Sequence, residues 1–212
     1  MSKKIYGLFI LVGLVLLPVA ANASSASPAW GFTSVSAQGT ANTSYALGDL
    51  FTPTQNMDVY DLGYYDAAAT EGGAVNQPHS VALYQVTGGP ISLGSTTITS
   101  SSTQVGDFLY NAITPVVLIA GTEYELVGVT NTADYYTYST LVSGFSVAAP
   151  LTFNGYNENP ATFAGYSPTS NRTIQYFGPD FEYTLTPEPT SFLLLGSGLV
   201  GLAGLVKRKL KG

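Results

Sequence analysis

Hydrophobic residues are distributed along this chain in two different ways. Nearly unbroken apolar runs lie close to its two ends, at Ile5–Leu17 and Phe192–Val206, whereas the region between them has short runs of strand-forming residues separated by Gly, Pro and Asn. A long uncharged run is typical of a segment that enters a membrane, and short runs broken by turn residues are typical of β-strands. The pattern therefore predicts an all-β domain between two membrane-directed segments.

The region 24–186 is predicted to be a single antiparallel β-sandwich. No stretch of it shows a sustained helical period with capping residues. Nine of the twelve residues from Ser92 to Thr103 are Ser or Thr, which is typical of an exposed edge strand and loop. The predicted strands are Trp30–Ser36, Tyr45–Phe51, Met57–Tyr65, Ser80–Val86, Ile91–Thr99, Asp107–Ile113, Tyr124–Thr130, Phe145–Ala148, Thr173–Phe177 and Phe181–Thr186.

Alternation of apolar and polar residues is clearest near the middle of this region. Tyr124 and Leu126 share one face of the predicted strand, and Glu123 and Glu125 share the other, as in a strand with one solvated face. We expect Tyr124 and Leu126 to point into the core. The same is expected of two apolar residues in an earlier strand, Val81 and Leu83.

The N-terminal residues 1–23 have the organisation of a secretory signal peptide. Lys3 and Lys4 precede the apolar run, and Ala21-Asn22-Ala23 offers an Ala-x-Ala cleavage site, with Ala21 and Ala23 as its small residues. Signal peptidase and the Sec translocon are the partners expected from this pattern. An uncleaved membrane anchor is the alternative, but the short apolar run and its small-residue exit favour cleavage before Ser24.

The C-terminal residues 187–212 combine a short rigid motif, an apolar segment and a basic end. Pro187-Glu188-Pro189 comes first, and the run Phe192–Val206, counted with Thr190 and Ser191, would form a transmembrane helix about 25 Å long, at the short end of what spans a bilayer. The basic residues after it would hold the C-terminus in the cytoplasm. They are Lys207, Arg208, Lys209 and Lys211. The alternative is a buried C-terminal helix of a soluble domain.

This three-part order resembles the PEP-CTERM sorting signal of exported proteins in Gram-negative, exopolysaccharide-producing bacteria. The resemblance implies that exosortase, a membrane-embedded transpeptidase-like enzyme, recognises Pro187, Glu188 and Pro189. It also implies an inner-membrane-anchored precursor that later reaches the cell surface or the extracellular matrix. The resemblance covers only the tail, so it implies export and carries over no activity.

A second resemblance covers roughly residues 45–130. Leu62-Gly63-Tyr64-Tyr65-Asp66, His79-Ser80-Val81-Ala82-Leu83-Tyr84, Phe108-Leu109-Tyr110 and Ala120-Gly121-Thr122-Glu123-Tyr124 follow one another in this order. The series is similar to an uncharacterised jelly-roll-like β-sandwich domain found in PEP-CTERM proteins. It implies that fold for the exterior domain and carries over no catalytic residue.

The charge of the exterior domain makes one class of partner unfavourable. Residues 24–186 carry twelve acidic side chains and a single basic one, Arg172, which gives a net charge of about −11. Such a surface repels phosphate backbones, so no nucleic-acid partner is expected. Scattered carboxylates usually serve solubility; calcium, which prefers oxygen ligands, is the alternative. The chain has no Cys, so the domain would fold without disulfides.

The sequence offers no set of catalytic residues. His79 is the only His, there is no thiol, and the chain has no His-Glu-x-x-His zinc motif or phosphate-binding Walker loop. We therefore expect no enzymatic activity and no cofactor, although a pair of carboxylates acting on a glycan stays open. His79 is expected to close a loop by a hydrogen bond; alternatively it meets Asp66 or Glu71 in a ligand or metal site.

Two classes of function fit these features. The first is a structural protein of the cell surface or the biofilm matrix, associated with exopolysaccharide through an acidic, hydroxyl-rich surface. The second is a carbohydrate-binding module that stacks sugars on exposed aromatic rings. The candidate rings are Trp30, Tyr135, Tyr136, Tyr138 and Tyr156, and core packing is the alternative for each of them.

Overall fold

A computed structural model of the chain has an all-β, antiparallel architecture. It describes residues 26–35, 39–40, 44–65, 78–131, 135–136, 142–160, 177–186, 196 and 198–199. The strands in chain order are β1 (Ser27–Pro28), β2 (Trp30–Gly31), β3 (Ser34–Val35), β4 (Gly39–Thr40), β5 (Tyr45–Pro53), β6 (Met57–Tyr65), β7 (His79–Gln85), β8 (Ile91–Ile98), β9 (Thr103–Val105), β10 (Phe108–Leu118), β11 (Tyr124–Val129), β12 (Tyr135–Tyr136), β13 (Val142–Ser143), β14 (Ser146–Val147), β15 (Leu151–Pro160) and β16 (Pro179–Leu185).

Ten of these strands form two five-stranded sheets. The first sheet has the order β1-β16-β6-β10-β9, and the second has the order β15-β5-β11-β7-β8. The remaining strands are two residues long and pair as β12-β4, β13-β3 and β14-β2. The all-β, antiparallel part of the sequence prediction is therefore confirmed, and the jelly-roll-like sandwich stays a prediction.

Side chains from both sheets meet in one hydrophobic core. Phe51 of the second sheet lies 4.9 Å from Phe181 of the first, measured between ring centroids. The Trp30 ring meets both edge-on, at 6.0 and 5.5 Å. Such edge-to-face contacts stabilise a core beyond the area they bury. The four residues expected to point inward, Val81, Leu83, Tyr124 and Leu126, all belong to this core, as predicted.

Strand β10 continues past the point where the sequence suggested that it ends. The prediction stopped at Ile113, before Thr114 and Pro115, whereas the observed strand continues to Leu118. Its pairing with β6 shifts between Ala112 and Val116, so Pro115 lies in the irregular part of the ladder. A bulge leaves a residue unpaired, and Pro, which has no N–H to donate, is tolerated there.

Other predicted strands agree with the structure to different degrees. Met57–Tyr65 has the predicted bounds, whereas the predicted strand Trp30–Ser36 is broken into β2 and β3. Strand β15 was not predicted; it contains several Asn residues and Gly155, which are residue types depleted in strands. Of the predicted strand Thr173–Phe177, only Phe177 lies among the described residues, and it precedes β16 without belonging to a strand.

The prediction that Glu125 faces solvent is wrong. Its side chain is only 1% exposed. Strand β11 lies at the centre of the second sheet, and Glu125 is paired with Leu50 of β5 on one side and with Tyr84 of β7 on the other. Both neighbours are also buried, and their side chains shield Glu125 from water. Period-two alternation identifies the face correctly but not whether that face is covered.

Most of the C-terminal tail lies outside the described residues. Only Gly196, Gly198 and Leu199 of the predicted transmembrane segment are described, with helical backbone. Within the described part of the chain, no helix is long and apolar enough to cross a membrane. The transmembrane helix thus stays a prediction, as do the signal peptide and its Ala21 and Ala23.

Candidate functional site

The sorting tail leaves the fold directly from a strand of the first sheet. β16 ends at Leu185, and the next residue, Thr186, donates its backbone N–H to the carbonyl of Asn56 at 3.0 Å. Its hydroxyl also lies 3.4 Å from a carboxylate oxygen of Asp58. Pro187 follows immediately, so no spacer separates the folded domain from the Pro-Glu-Pro motif. Pro187, Glu188, Pro189 and the basic residues Lys207, Arg208, Lys209 and Lys211 lie outside the described residues.

His79 lies in the core rather than at an open site. It is 2% exposed, its ring stacks on that of Tyr64 with centroids 3.8 Å apart, and its Nδ1 lies 2.9 Å from the carbonyl oxygen of Val129. Because a carbonyl only accepts, Nδ1 carries the proton in this bond. This is the structural role expected for His79. Asp66 and Glu71, its partners in the alternative prediction, lie outside the described residues.

Two of the aromatic rings considered for sugar stacking are core residues. Trp30 is 3% exposed and donates its indole N–H to the carbonyl of Pro179 at 3.0 Å, and Tyr156 is 1% exposed. Neither ring has a face open to a sugar. The prediction that these two rings form an exposed stacking platform is therefore wrong, and both pack in the core, as the alternative proposed. Nothing is described for the side chains of the other candidates, Tyr135, Tyr136 and Tyr138.

An open groove of about 510 Å³ lies on the outer face of the second sheet. Strands β7 and β8 form its floor, because their pairing places Ser80 beside Thr97 and Ala82 beside Ser95 on that face. A register shift after Leu83 then places Tyr84 beside Ser92. The residues that line it are Ser80, Ala82, Tyr84, Ser92, Ser95, Thr96 and Thr97.

Hydroxyl groups determine the chemistry of this groove. Each Ser or Thr hydroxyl can donate one hydrogen bond and accept two, so the floor suits a ligand that itself carries many hydroxyls. Burial raises the pKa of Tyr84, and the neighbouring Glu125 raises it further, so the phenol stays protonated at neutral pH. The run of Ser and Thr from Ser92 to Thr103 was the available sequence signal. It predicted the edge strand β8, but the groove also needs the register with β7.

Each large sheet also contains one aspartate that solvent does not reach. Asp180 accepts hydrogen bonds from the Tyr110 hydroxyl at 2.6 Å and from the N–H groups of Phe181 and Ala29 at 2.7 and 3.2 Å. Asp49 is equally buried, and neither of its carboxyl oxygens has a hydrogen-bond partner among the residues that the structure describes. Because both are 0% exposed, a ligand at the surface would not touch either carboxyl group.

Burial changes the ionisation of both groups. It raises the pKa of Asp180 to about 8, even though the hydrogen bonds from Tyr110 and the backbone favour the charged form. Burial also raises the pKa of Asp49 well above its usual range, and the charges of Glu125 and Asp180 add to that shift. Among the described residues, no group of three or more His, Asp or Glu side chains is arranged to hold a metal ion.

Comparison with known families finds a match in the tail. Residues 185–209 match the family model of the PEP-CTERM protein-sorting motif. The match begins at the last residue of β16 and ends within the basic cluster. The motif implies an exported, membrane-anchored precursor with exosortase as its processing partner. No curated protein matches the chain.

Proposed function

We propose that this chain is an exported protein of the cell surface or extracellular matrix, associated there with exopolysaccharide. Its signal peptide directs export through Sec, and its tail holds the precursor in the inner membrane until exosortase cuts near Pro187–Pro189. The observation that carries the proposal is the motif match over residues 185–209. Because β16 ends directly before the motif, one cut there would release the folded domain whole.

The processing step is tested in a host that contains exosortase. The wild-type protein should lose its tail and leave the inner membrane, whereas Pro187→Ala/Glu188→Ala/Pro189→Ala should stay membrane-bound and full length. Thr190→Ala/Ser191→Ala is the matched control, because it changes neighbouring residues outside the motif. Mass spectrometry of the exported wild-type protein decides the matter: a terminus still ending in Lys211-Gly212 would contradict the proposal.

The proposed role in the matrix is structural, with no catalysis and no cofactor. The exterior domain has a net charge of about −11 and many hydroxyls, which favours a hydrated, soluble surface. Calcium is the ion such a surface would favour, with Asp66 and Glu71 as the ligands considered. A calcium-dependent rise in melting temperature that Asp66→Ala abolishes would add a metal to this role. A melting temperature that calcium does not change would mean that the domain binds no calcium in this role.

A carbohydrate-binding module is the second candidate, and the groove on β7 and β8 is the observation that favours it. Ser95→Ala/Thr97→Val would remove two hydroxyls from its floor, at about 1 kcal/mol or fivefold in Kd for each hydrogen bond lost. Ser100→Ala/Thr103→Val is the matched control, because both residues are exposed, one in the turn after β8 and one at the start of β9. Titration of the processed protein with neutral and acidic oligosaccharides is the measurement. Equal Kd values for the two double variants would remove this candidate.

We also propose that the two large sheets pack face to face as a jelly-roll-like sandwich. The approach of Tyr64 to the second sheet supports this, because a methyl group on Gly128 would lie 2.7 Å from its ring. Only a glycine allows so close a contact between the sheets. Gly128→Ala should therefore destabilise the domain by about 1–3 kcal/mol through overpacking. An unchanged melting temperature would contradict the packing.

A further inference from the structure

Large apolar side chains are exposed at few places in the described part of the domain. Val117 and Ile119 are 55% and 51% exposed, Ile91 is 53% exposed, and Val105 is 36% exposed. Val117 and Ile119 are two residues apart, one at the end of β10 and one just beyond it. Isolated exposed hydrophobic residues need no explanation, so their position relative to the rest of the molecule is what matters.

Val117 and Ile119 lie beside the point where the chain leaves for the tail. In the first sheet, Asp58 of β6 is paired with Val117 of β10 on one side and with Thr184 of β16 on the other. Val117 therefore lies close to the C-terminal end of β16, the last strand before the tail. Ile119 lies two residues further in the same direction.

Hydrogen bonds hold the exit point and the apolar residues together. The backbone carbonyl of Asn56 accepts from the N–H of Thr186 at 3.0 Å, and its side-chain carbonyl accepts from the N–H of Ala120 at 2.9 Å. The hydroxyl of Tyr124 accepts from the N–H of Ile119 at 2.9 Å. Asn56 thus connects the residue before the sorting motif to the residue after Ile119. We call Val117 and Ile119 the exit patch.

Ile91 lies at the same end of the molecule, and Val105 lies at the other. Ile91 follows the β7–β8 turn, where Val86 donates its N–H to the carbonyl of Glu123, close to the exit patch. Val105 pairs with Phe108 at the opposite end of β10 from Val117. Exposed apolar side chains are therefore concentrated at the end from which the tail departs.

The chain leaves little distance between this end and a bilayer. Five residues lie between Thr186 and Phe192, where the apolar run begins, so the two residues are at most about 20 Å apart when the chain is fully extended. The polar layer on each side of the hydrocarbon core is about 5–8 Å thick. With the run inserted, the exit end of the domain therefore stays at the membrane surface.

We propose that in the membrane-anchored precursor the exit patch rests in the interfacial layer of the bilayer. The proposal depends on membrane insertion of the tail, which belongs to the proposed function. Moving apolar side chains from water into the interfacial layer is favourable. Two side chains are enough for this contact, because the inserted tail keeps the domain at a high local concentration beside the bilayer. Asp58 beside Val117 and the acidic domain disfavour anionic headgroups, so the partner is a zwitterionic lipid surface. The contact would set the orientation in which the domain and its Pro-Glu-Pro motif face the enzyme.

The absence of cysteine in the chain permits a direct test with single labels. Val117→Cys, Ile119→Cys and Val105→Cys are prepared in the precursor with its complete tail, labelled with an environment-sensitive fluorophore and reconstituted into phosphatidylcholine vesicles. Val105→Cys, on β9 beside the end of β10 that is far from Val117, is the matched control. The fluorescence emission of the labels at 117 and 119 should shift to shorter wavelength and should be reduced by lipid-borne quenchers. The emission of the label at 105 should show neither change. Unchanged circular dichroism and melting temperature confirm folding.

The outcomes separate this inference from the proposal on which it rests. Failure of the labelled precursors to float with the vesicles means that the tail does not insert, and the membrane part of the proposed function fails. Flotation with all three labels reporting water overturns the exit patch alone, and so does flotation with all three reporting lipid. Replacing half of the lipid with phosphatidylglycerol should weaken the signal at 117 and 119; a stronger signal would contradict the zwitterionic partner.

Discussion

Each of the two large sheets holds one aspartate closed off from solvent, and the two carboxyl groups have opposite surroundings. Asp180 of the first sheet accepts three hydrogen bonds, one of them from the Tyr110 hydroxyl at 2.6 Å. Asp49 of the second sheet accepts none from the described part of the chain. Both are 0% exposed. The comparison shows that burial sets the direction of a pKa shift, whereas hydrogen bonding decides what the side chain contributes to the fold.

The neighbours in each sheet explain this difference. Tyr110 reaches Asp180 across Gly63, the β6 residue that is paired with both of them. Because Gly63 has no side chain, the Tyr110 ring can lie over it. Asp49 is paired instead with Leu126 and Tyr156, and its side chain points to the face that carries the core. Asp180 connects the strands of its sheet, whereas Asp49 is a buried polar group that makes no such connection within the described residues.

The largest effect is expected from removing the connected carboxyl group. Asp180→Ala leaves the Tyr110 hydroxyl and the Phe181 N–H buried without an acceptor, at about 1–3 kcal/mol for each, so the free energy of unfolding should fall by about 3 kcal/mol or more. Urea denaturation at pH 6 measures it. Glu182→Ala, two residues along the same strand and half-buried, is the control and should change stability by less than about 1 kcal/mol. Equal losses for the two variants would make the hydrogen bonds of Asp180 unimportant.

A somewhat smaller loss of stability is expected from adding a side chain at Gly63 of β6, where the Tyr110 ring lies. A methyl group at Gly63 would lie 2.5 Å from the Tyr110 ring, so Gly63→Ala must displace the ring and lengthen its bond to Asp180. Overpacking of this kind costs about 1–3 kcal/mol. Gly31→Ala is the matched control, because nothing lies within 4 Å of its added methyl group. If both variants melt at the same temperature, Tyr110 does not depend on Gly63.

Removing only the Tyr110 hydroxyl tests its hydrogen bond to Asp180 while the ring stays in place. Tyr110→Phe keeps the packing against Phe108 and should lower the free energy of unfolding by about 1–2 kcal/mol, because Asp180 loses its side-chain donor. Tyr183→Phe, on the same sheet and 6% exposed, serves as the comparison variant. A loss no larger than that of Tyr183→Phe would mean that the bond at 2.6 Å contributes nothing beyond a generic hydroxyl.

Part of this arrangement could be predicted from the sequence. Short runs of strand-forming residues bounded by turn residues located β5 and β6 closely. Period-two alternation places Asp49 on the face of Leu47 and Phe51, so a polar residue in a core-facing position was visible in the sequence. The order of motif, apolar run and basic end identified the tail without any structure.

What the sequence could not show depends on contacts between distant strands. Asp180 and Tyr110 are 70 residues apart and meet only through the pairing of β6 with both β10 and β16. The burial of Glu125 depends on which strands flank β11 and on the covering of the outer face. The groove depends on a register shift between β7 and β8. Alternation predicts faces, and the order of strands in a sheet decides which faces meet.

The smallest effect at neutral pH, and the sharpest test of the comparison, is expected from Asp49→Asn. Because burial raises the folded-state pKa of Asp49, the fold keeps a proton that the unfolded chain releases near pH 4. The folded state then binds more protons, so stability is fully present below about pH 4 and falls as the pH rises towards the folded-state pKa. Asp180 adds to this decline up to its pKa of about 8.

Asn cannot ionise, so Asp49→Asn should remove the Asp49 part of this decline. We expect the variant to lie within about 1 kcal/mol of the wild type at pH 5 and to be the more stable protein at pH 9. Melting temperatures measured from pH 4 to pH 9 are the test, with Asp61→Asn as the control, because Asp61 is only partly buried and its pKa is raised less. Parallel pH profiles for the wild type and Asp49→Asn would show that Asp49 has a charge partner in solution. The contrast with Asp180 would then be lost.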